Sequence, residues 1–243
     1  MISEVKKIFH LLLSVAFSST GFIAAVTITV LAAREVSSNP YLIGFPNAVG
    51  VAGAVIGTQM FDRMSQKFSK NRALSNTFLI GSLGGLVQIS SLIIDSFYLL
   101  LIGAFILGIG QSAALQTRYV ASFVASESFK ATALSLAVWF SVFGSIFGPR
   151  LVGEYSAVFE NWLGSDLIVG YFIATFGMFL AGLSVLLFSQ KDSALNKKLV
   201  IEKSLKLSEL DSTSIGILKK ILVSMALMTN GNVATIRDPS KFN

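Results

Sequence analysis

The sequence predicts an all-α membrane protein, a bundle of six transmembrane helices, and three observations carry the prediction. Of 243 residues, 53% are hydrophobic and 13% charged, about half the charged share of an ordinary soluble domain. Six apolar runs, at 8–33, 41–61, 75–94, 97–117, 131–152 and 167–189, are each long enough to cross about 30 Å of hydrocarbon as a helix. The basic residues fall on alternate loops: Lys6 and Lys7, then Arg63, Lys67, Lys70 and Arg72, then Arg118 and Lys130, then the lysines from Lys191 to Lys220, leaving only Arg34 and Arg150 on the other side.

Taken in order, the first run follows Lys6 and Lys7 like a signal peptide, but at about 24 residues it exceeds the roughly 7–15 of a cleaved apolar region and reads as a retained helix. The links at 34–40 and 95–96 only turn the chain, so the helices they join are antiparallel neighbours. The longer link at 153–166, with Glu154, Glu160, Trp162 and Asp166, reads as an interfacial segment whose tryptophan sits at headgroup depth. From 1 to 189 the chain is therefore one six-helix transmembrane bundle. Residues 190–220 alternate lysines with Asp192, Glu202, Glu209 and Asp211 and form a basic cytoplasmic linker. The apolar run 221–228 stops at Asn230, Gly231 and Asn232, so 221–243 reads as a truncated seventh-helix stub with a disordered tail.

The charge asymmetry explains the net charge of +6. Lysine and arginine concentrate on cytoplasmic loops, which puts both termini in the cytoplasm of a multi-pass protein of the cell membrane. The basic residues then serve insertion and contact with the lipid bilayer, and nucleic-acid binding is excluded as a function. With no cysteine there is neither disulfide nor thiolate chemistry. His10 is the single histidine and has no second ligand, so no metal site is expected, and it reads as an interfacial residue. No catalytic residues and no cofactor are expected, because no nucleophile and base come together, and a receptor reading lacks an external domain.

Small residues let helix backbones approach inside lipid, where no hydrophobic effect drives helices together. Gly50, Gly53 and Gly57 in span two, Gly81, Gly84 and Gly85 in span three, Gly103, Gly108 and Gly110 in span four, and Gly144 and Gly148 in span five indicate a tight bundle. All 13 carboxylates lie outside the predicted hydrocarbon, so this segment offers no buried acid to carry protons. The polar groups available to a cavity are uncharged, chiefly Asn47, Gln88 and Gln111. The hydroxyls Ser18, Ser19, Thr20, Thr27, Thr29, Ser141 and Ser145 are expected to bond their own helix carbonyls.

Four features resemble the N-terminal half of a major facilitator superfamily transporter. Gly57 followed by Asp62, Arg63, Lys67, Lys70 and Arg72 is similar to the signature G-x-x-x-D-R-x-G-R-K/R, with one extra residue before Asp62 and with Ser65 and Gln66 as departures. Ala104-Phe105-Ile106-Leu107-Gly108-Ile109-Gly110 resembles R-F-x-x-G-x-G with alanine at the arginine position. Gly144-x-x-x-Gly148-Pro149 and Gly153 resemble G-x-x-x-G-P-x-x-G-G of exporters, with Arg150 and Val152 as departures. Gly110-Gln111, Gln116-Thr117-Arg118-Tyr119 and the run Ala133–Trp139 look like poorly characterised bacterial permeases of the superfamily.

The resemblance implies two inverted three-helix repeats within this half, and a fold in which two such halves rock about a midplane site. It implies that the loop with Asp62, Arg63 and Lys67 after Gly57 gates the cytoplasmic side by charge pairing. Gly144, Gly148 and Pro149 would pack and bend span five, and spans one and four would line a cavity, making Thr27, Asn47, Gln88, Gln111 and Arg118 its candidates. The implied function is alternating-access transport of a small organic solute, outward in direction. Since the resembled fold has twelve helices, the chain reads as an incomplete half lacking its C-terminal partner. The alternatives are a half that works as a homodimer and a non-transporting structural or regulatory membrane protein.

Overall fold

The computed structural model describes residues 2–37 and 39–188; the predicted linker, stub and tail lie outside the described residues. The apolar runs become six helices, α1 (Ile2–Val36), α2 (Phe45–Lys67), α3 (Lys70–Ile93), α4 (Phe97–Val124), α5 (Lys130–Leu163) and α6 (Ile168–Phe188). All six are long and apolar enough to cross a membrane.

Short polar motifs set the turns. The Asn39 carboxamide accepts from the Tyr41 amide at 3.0 Å ahead of a single 3-10 turn at Pro40–Leu42. Ser69 and Ser96 cap α3 and α4 by accepting from the amides of Arg72 and Leu99, which satisfies donors a helix start leaves open. At the end of α3, Asp95 takes the left-handed conformation with φ 53°, which lets the Ser96 amide reach back to the Ser91 carbonyl at 2.9 Å.

Helix lengths depart from the predicted spans because a helix does not end where the lipid does. The segment 153–166, expected as a link, continues α5 to Leu163, and the turn comes only at Gly164, whose φ of 78° closes the helix by bonding Glu160. With 35 and 34 residues, α1 and α5 are each about 50 Å long and overreach the hydrocarbon. Likewise Asp62, Arg63 and Lys67, expected on a loop, occupy the last turns of α2, and the turn to α3 is only Phe68–Ser69.

The packing is two-fold in pattern. Helix α1 packs on α6 as α4 packs on α3, α5 lies on α1 as α2 lies on α4, and α1–α4 and α3–α6 close the ring. The three helices α1–α3 thus correspond to α4–α6, and because each unit has an odd number of helices the second starts from the opposite face of the membrane. Glycines make both sets of contacts possible. A Cβ at Gly53 would strike the Phe105 carbonyl and one at Gly108 the Gly50 carbonyl. At Gly144 and Gly148 it would strike the Ala16 and Thr20 carbonyls. The buried core lies in the ring, with Leu11, Ala25, Leu74, Phe78, Leu100, Leu107, Ala113, Tyr171 and Met178 among its members.

Candidate functional site

Two hollows open beside α1. One, of about 490 Å³, is bounded by Phe22, Val26 and Thr29 of α1, Asn47, Gly50 and Val51 of α2, Gln88 of α3, and Ala104, Leu107, Gln111 and Leu115 of α4. The other, of about 560 Å³, lies among α1, α5 and α6 and is walled by Phe17, Phe140, Phe143, Phe147, Phe172 and Phe176. Its one hydroxyl, Thr20, is already bonded to the Ala16 carbonyl at 2.9 Å. The larger hollow is the poorer candidate, since ligand sites pair apolar walls with a few convergent polar groups.

The smaller hollow has such groups. Gln88 is 1% exposed and lies against Gly103, where a Cβ would meet its Cγ. Its Oε1 and that of Gln111 are buried and accept no hydrogen bond from the described residues. An unsatisfied buried acceptor costs about 1–3 kcal/mol, so two of them at one hollow mark it as a place for a donor. Thr29, also in the lining, donates to the Ala25 carbonyl at 2.7 Å and accepts from the Tyr171 hydroxyl at 3.4 Å.

Of the five cavity candidates, Asn47, Gln88 and Gln111 meet at this hollow. Thr27 does not line it; it is exposed on α1 and bonds the Ile23 carbonyl at 2.8 Å. Arg118 is not in the lining. It is half-buried inside α4, which runs past it to Val124, so its place is a helix and not the loop that the charge pattern suggested. Its guanidinium donates to Ser141 Oγ of α5 at 3.2 Å.

The remaining sequence candidates lie elsewhere. Gly57 packs on Ile109 and Ser112, whereas Asp62 and Arg63 are exposed on α2 and form no ion pair among the described residues. Gly144 and Gly148 pack on α1, and Pro149 lies inside α5. The hydroxyls behave as expected for Ser18, Thr20, Thr27, Thr29, Ser141 and Ser145, each bonding a carbonyl of its own helix. His10, expected at an interface, is buried at 6% exposure. Sequence reasoning missed Tyr171, whose hydroxyl joins α6 to α1, and the interhelical bond from Ser75 to the Gly182 carbonyl at 2.8 Å. The only tyrosine in the sixth run was the available signal.

Two inverted three-helix units with a polar hollow beside their first helices define a class of multi-pass membrane protein built on internal repeats. No family model and no solved structure matches the chain. It is 31% identical over 183 residues to the uncharacterized MFS-type transporter YddS of Bacillus subtilis, an overlap of 75% of this chain and 42% of that protein. To YdeG of the same organism, another uncharacterized MFS-type transporter, it is 31% identical over 188 residues, 77% of this chain and 44% of the relative. A more distant likeness, 25% over 122 residues, covers 50% of the chain and 31% of the riboflavin transporter RfnT of Brucella anthropi. The chain belongs to the major facilitator superfamily, and it spans less than half the length of the curated relatives it matches.

Proposed function

We propose that this bundle is the N-terminal half of an alternating-access transporter that exports a small organic solute from the cell, with the hollow between α1, α2 and α4 as this half's share of the solute site. The observation that carries the reading is the pair of buried carboxamide oxygens of Gln88 and Gln111, without a donor among the described residues, at the wall of a mostly apolar hollow. They suit a solute with an apolar body and N–H or O–H groups. Outward direction rests on the exporter-like Gly144-x-x-x-Gly148-Pro149 run. The cytoplasmic placement of both termini rests on the basic loops.

A second bundle completes the pathway in this reading. In α2 and α5 only 17% and 28% of the spanning window is buried, against 50–61% in the other four helices, and Val51, Val55, Ile56, Phe143, Ile146 and Phe147 are exposed on them. A C-terminal half or a second copy would cover these faces, and function separates the two. The test is flux into proteoliposomes. The chain alone should carry no solute, and a chimera in which it replaces the matching segment of YddS should move members of a panel of fluorescent organic dyes that protein-free liposomes do not. Flux from the chain alone as a dimer would establish the homodimer, and a well-folded but inert chimera would sink the transport reading. In the active chimera Asp62→Asn should abolish flux while leaving insertion intact, because the gate would lose its charge; unchanged flux would remove Asp62 from the mechanism.

A further inference from the structure

Arg118 is a partly buried cation with no carboxylate partner among the described residues. It lies inside an apolar helix, its Nε is buried and has no hydrogen-bond partner among the described residues, and its one side-chain bond among them is to the neutral Ser141 hydroxyl. Ser141 in turn donates to the Val138 carbonyl at 2.8 Å, so its oxygen is oriented to accept and the pair has no negative charge. The carboxylates described at this end of the bundle are engaged or remote from it. Glu4 bonds Lys7 at 2.6 Å and the Ser126 amide at 3.1 Å, Glu127 bonds Lys130 at 2.6 Å, and Asp62 is exposed on α2. Arg118 lies one residue past the predicted end of span four, where an arginine can reach the membrane interface, so what singles it out is its buried Nε and not its depth. A guanidinium offers five N–H donors in a planar fork matched to a carboxylate, and among the described residues only Ser141 accepts from one of them.

The position of Arg118 relates it to the hollow. At 100° per residue, Ala104, Leu107, Gln111, Leu115 and Arg118 fall within an arc of about 80° on α4. The first four line the hollow. Arg118 therefore continues the same stripe, about 4.5 Å along the axis from Leu115 and about 10 Å from Gln111. A solute lying along α4 would meet apolar wall, then carboxamide, then guanidinium.

We propose that Arg118, positioned by Ser141, is an anion-binding residue at one end of this hollow, and that the solute is a monocarboxylate with an apolar body. The inference rests on the solute-site reading above. The carboxylate takes the open donors of Arg118, its apolar body lies against Leu115 and Leu107, and a hydrogen-bonding group on that body reaches Gln111. Charge-assisted bonds of this kind are about twice as strong as neutral ones, so the anionic form is selected over a neutral analogue of the same shape.

The test uses the full chain in phosphatidylcholine nanodiscs, with benzoate as the probe and benzamide as its neutral isostere, binding being read by calorimetry and by the shift of the melting temperature. Benzoate should bind at least about tenfold more tightly than benzamide. Arg118→Gln should erase that difference, and Arg118→Lys should retain part of it, keeping the charge but losing the fork. Because Arg118→Gln disturbs a packed helix, Ser141→Asp provides an independent variant: a carboxylate placed at 141 should pair with Arg118 and exclude benzoate while stabilising the fold. Equal binding of the two probes, or benzoate binding that survives both Arg118→Gln and Ser141→Asp, overturns the inference. Gln111→Leu separates it from the reading beneath. Because benzoate is too short to span the about 10 Å from Arg118 to Gln111, this arm uses 3-(4-hydroxyphenyl)propionate and its amide: if Gln111→Leu weakens both while Arg118→Gln affects neither, the hollow stands and the anion site falls, and if only Arg118→Gln matters, the anion is held outside the hollow and the inference falls. Repeating the titration with phosphatidylglycerol in the nanodisc distinguishes the source of the anion, and competition of this lipid with benzoate, lost in Arg118→Gln, would assign the site to headgroups and overturn the solute.

Discussion

The two hollows flanking α1 are nearly equal in size, about 490 Å³ and about 560 Å³, and differ in what their walls leave unfinished. Among α1, α5 and α6 the wall is phenylalanine, and its only hydroxyl is satisfied by its own helix. Between α1, α2 and α4 the wall includes buried carboxamide oxygens with no donor among the described residues. Space between helices arises wherever large side chains meet small ones, and lipid can fill the apolar case at no electrostatic cost. Unsatisfied acceptors are kept against a stability cost, which makes them, and not volume, the mark of the site.

The largest effect should come from the packing on which both hollows depend. Gly108→Val drives a side chain into the Gly50 carbonyl beside the polar hollow, and Gly144→Val drives one into the Ala16 carbonyl beside the apolar one. Each should cost about 1–3 kcal/mol or more by overpacking, read as early loss of the monodisperse peak on heating in detergent. Similar losses would show that the two sides are structurally equivalent, and a tolerated Gly144→Val would break that equivalence.

The next comparison is chemical access. The chain has no cysteine, so single introduced thiols report cleanly. Gln111→Cys should react with a small membrane-impermeant thiol reagent at least about tenfold faster than Phe143→Cys, since a thiolate needs water to form. Equal rates would mean that the hollow by α4 is as dry as the groove by α5. A smaller effect is expected from Gln88→Leu. Replacing a buried, unsatisfied amide by a similar apolar shape should raise stability by about 1 kcal/mol, measured by the melting midpoint; a loss would mean that Gln88 serves the fold and not the site. Smallest of all, Gly153→Ala meets no atom within 4 Å and should stabilise α5 by about 0.5–1 kcal/mol, in contrast with the glycines at the helix contacts.

Much of the fold was legible because membrane insertion is a composition rule. Each spanning helix needs a long apolar run, and each run shows itself without knowledge of its neighbours. The ends of α2 and α5 were less legible, because Asp62–Lys67 and Gly153–Leu163 are polar enough to read as loops and yet continue helices begun inside the lipid. The site was legible in part. Asn47, Gln88 and Gln111 stood out as amides costly to bury in lipid. Thr27 could not be told from Thr29 by type, and two positions on a helix are about 200° apart, enough to separate an exposed hydroxyl bonded to Ile23 from a buried one facing Tyr171.

What the sequence determined by itself is the number of spanning helices, the absence of any cysteine, and the glycine spacing that lets backbones touch, because these depend on local composition along one chain. What only the tertiary structure decided is which glycines meet which carbonyls, which of two hollows carries unsatisfied acceptors, and that Arg118 sits in a helix beside Ser141. Those are properties of helix faces brought together from residues far apart in the chain, and a face acquires its chemistry only when the helix opposite it is in place.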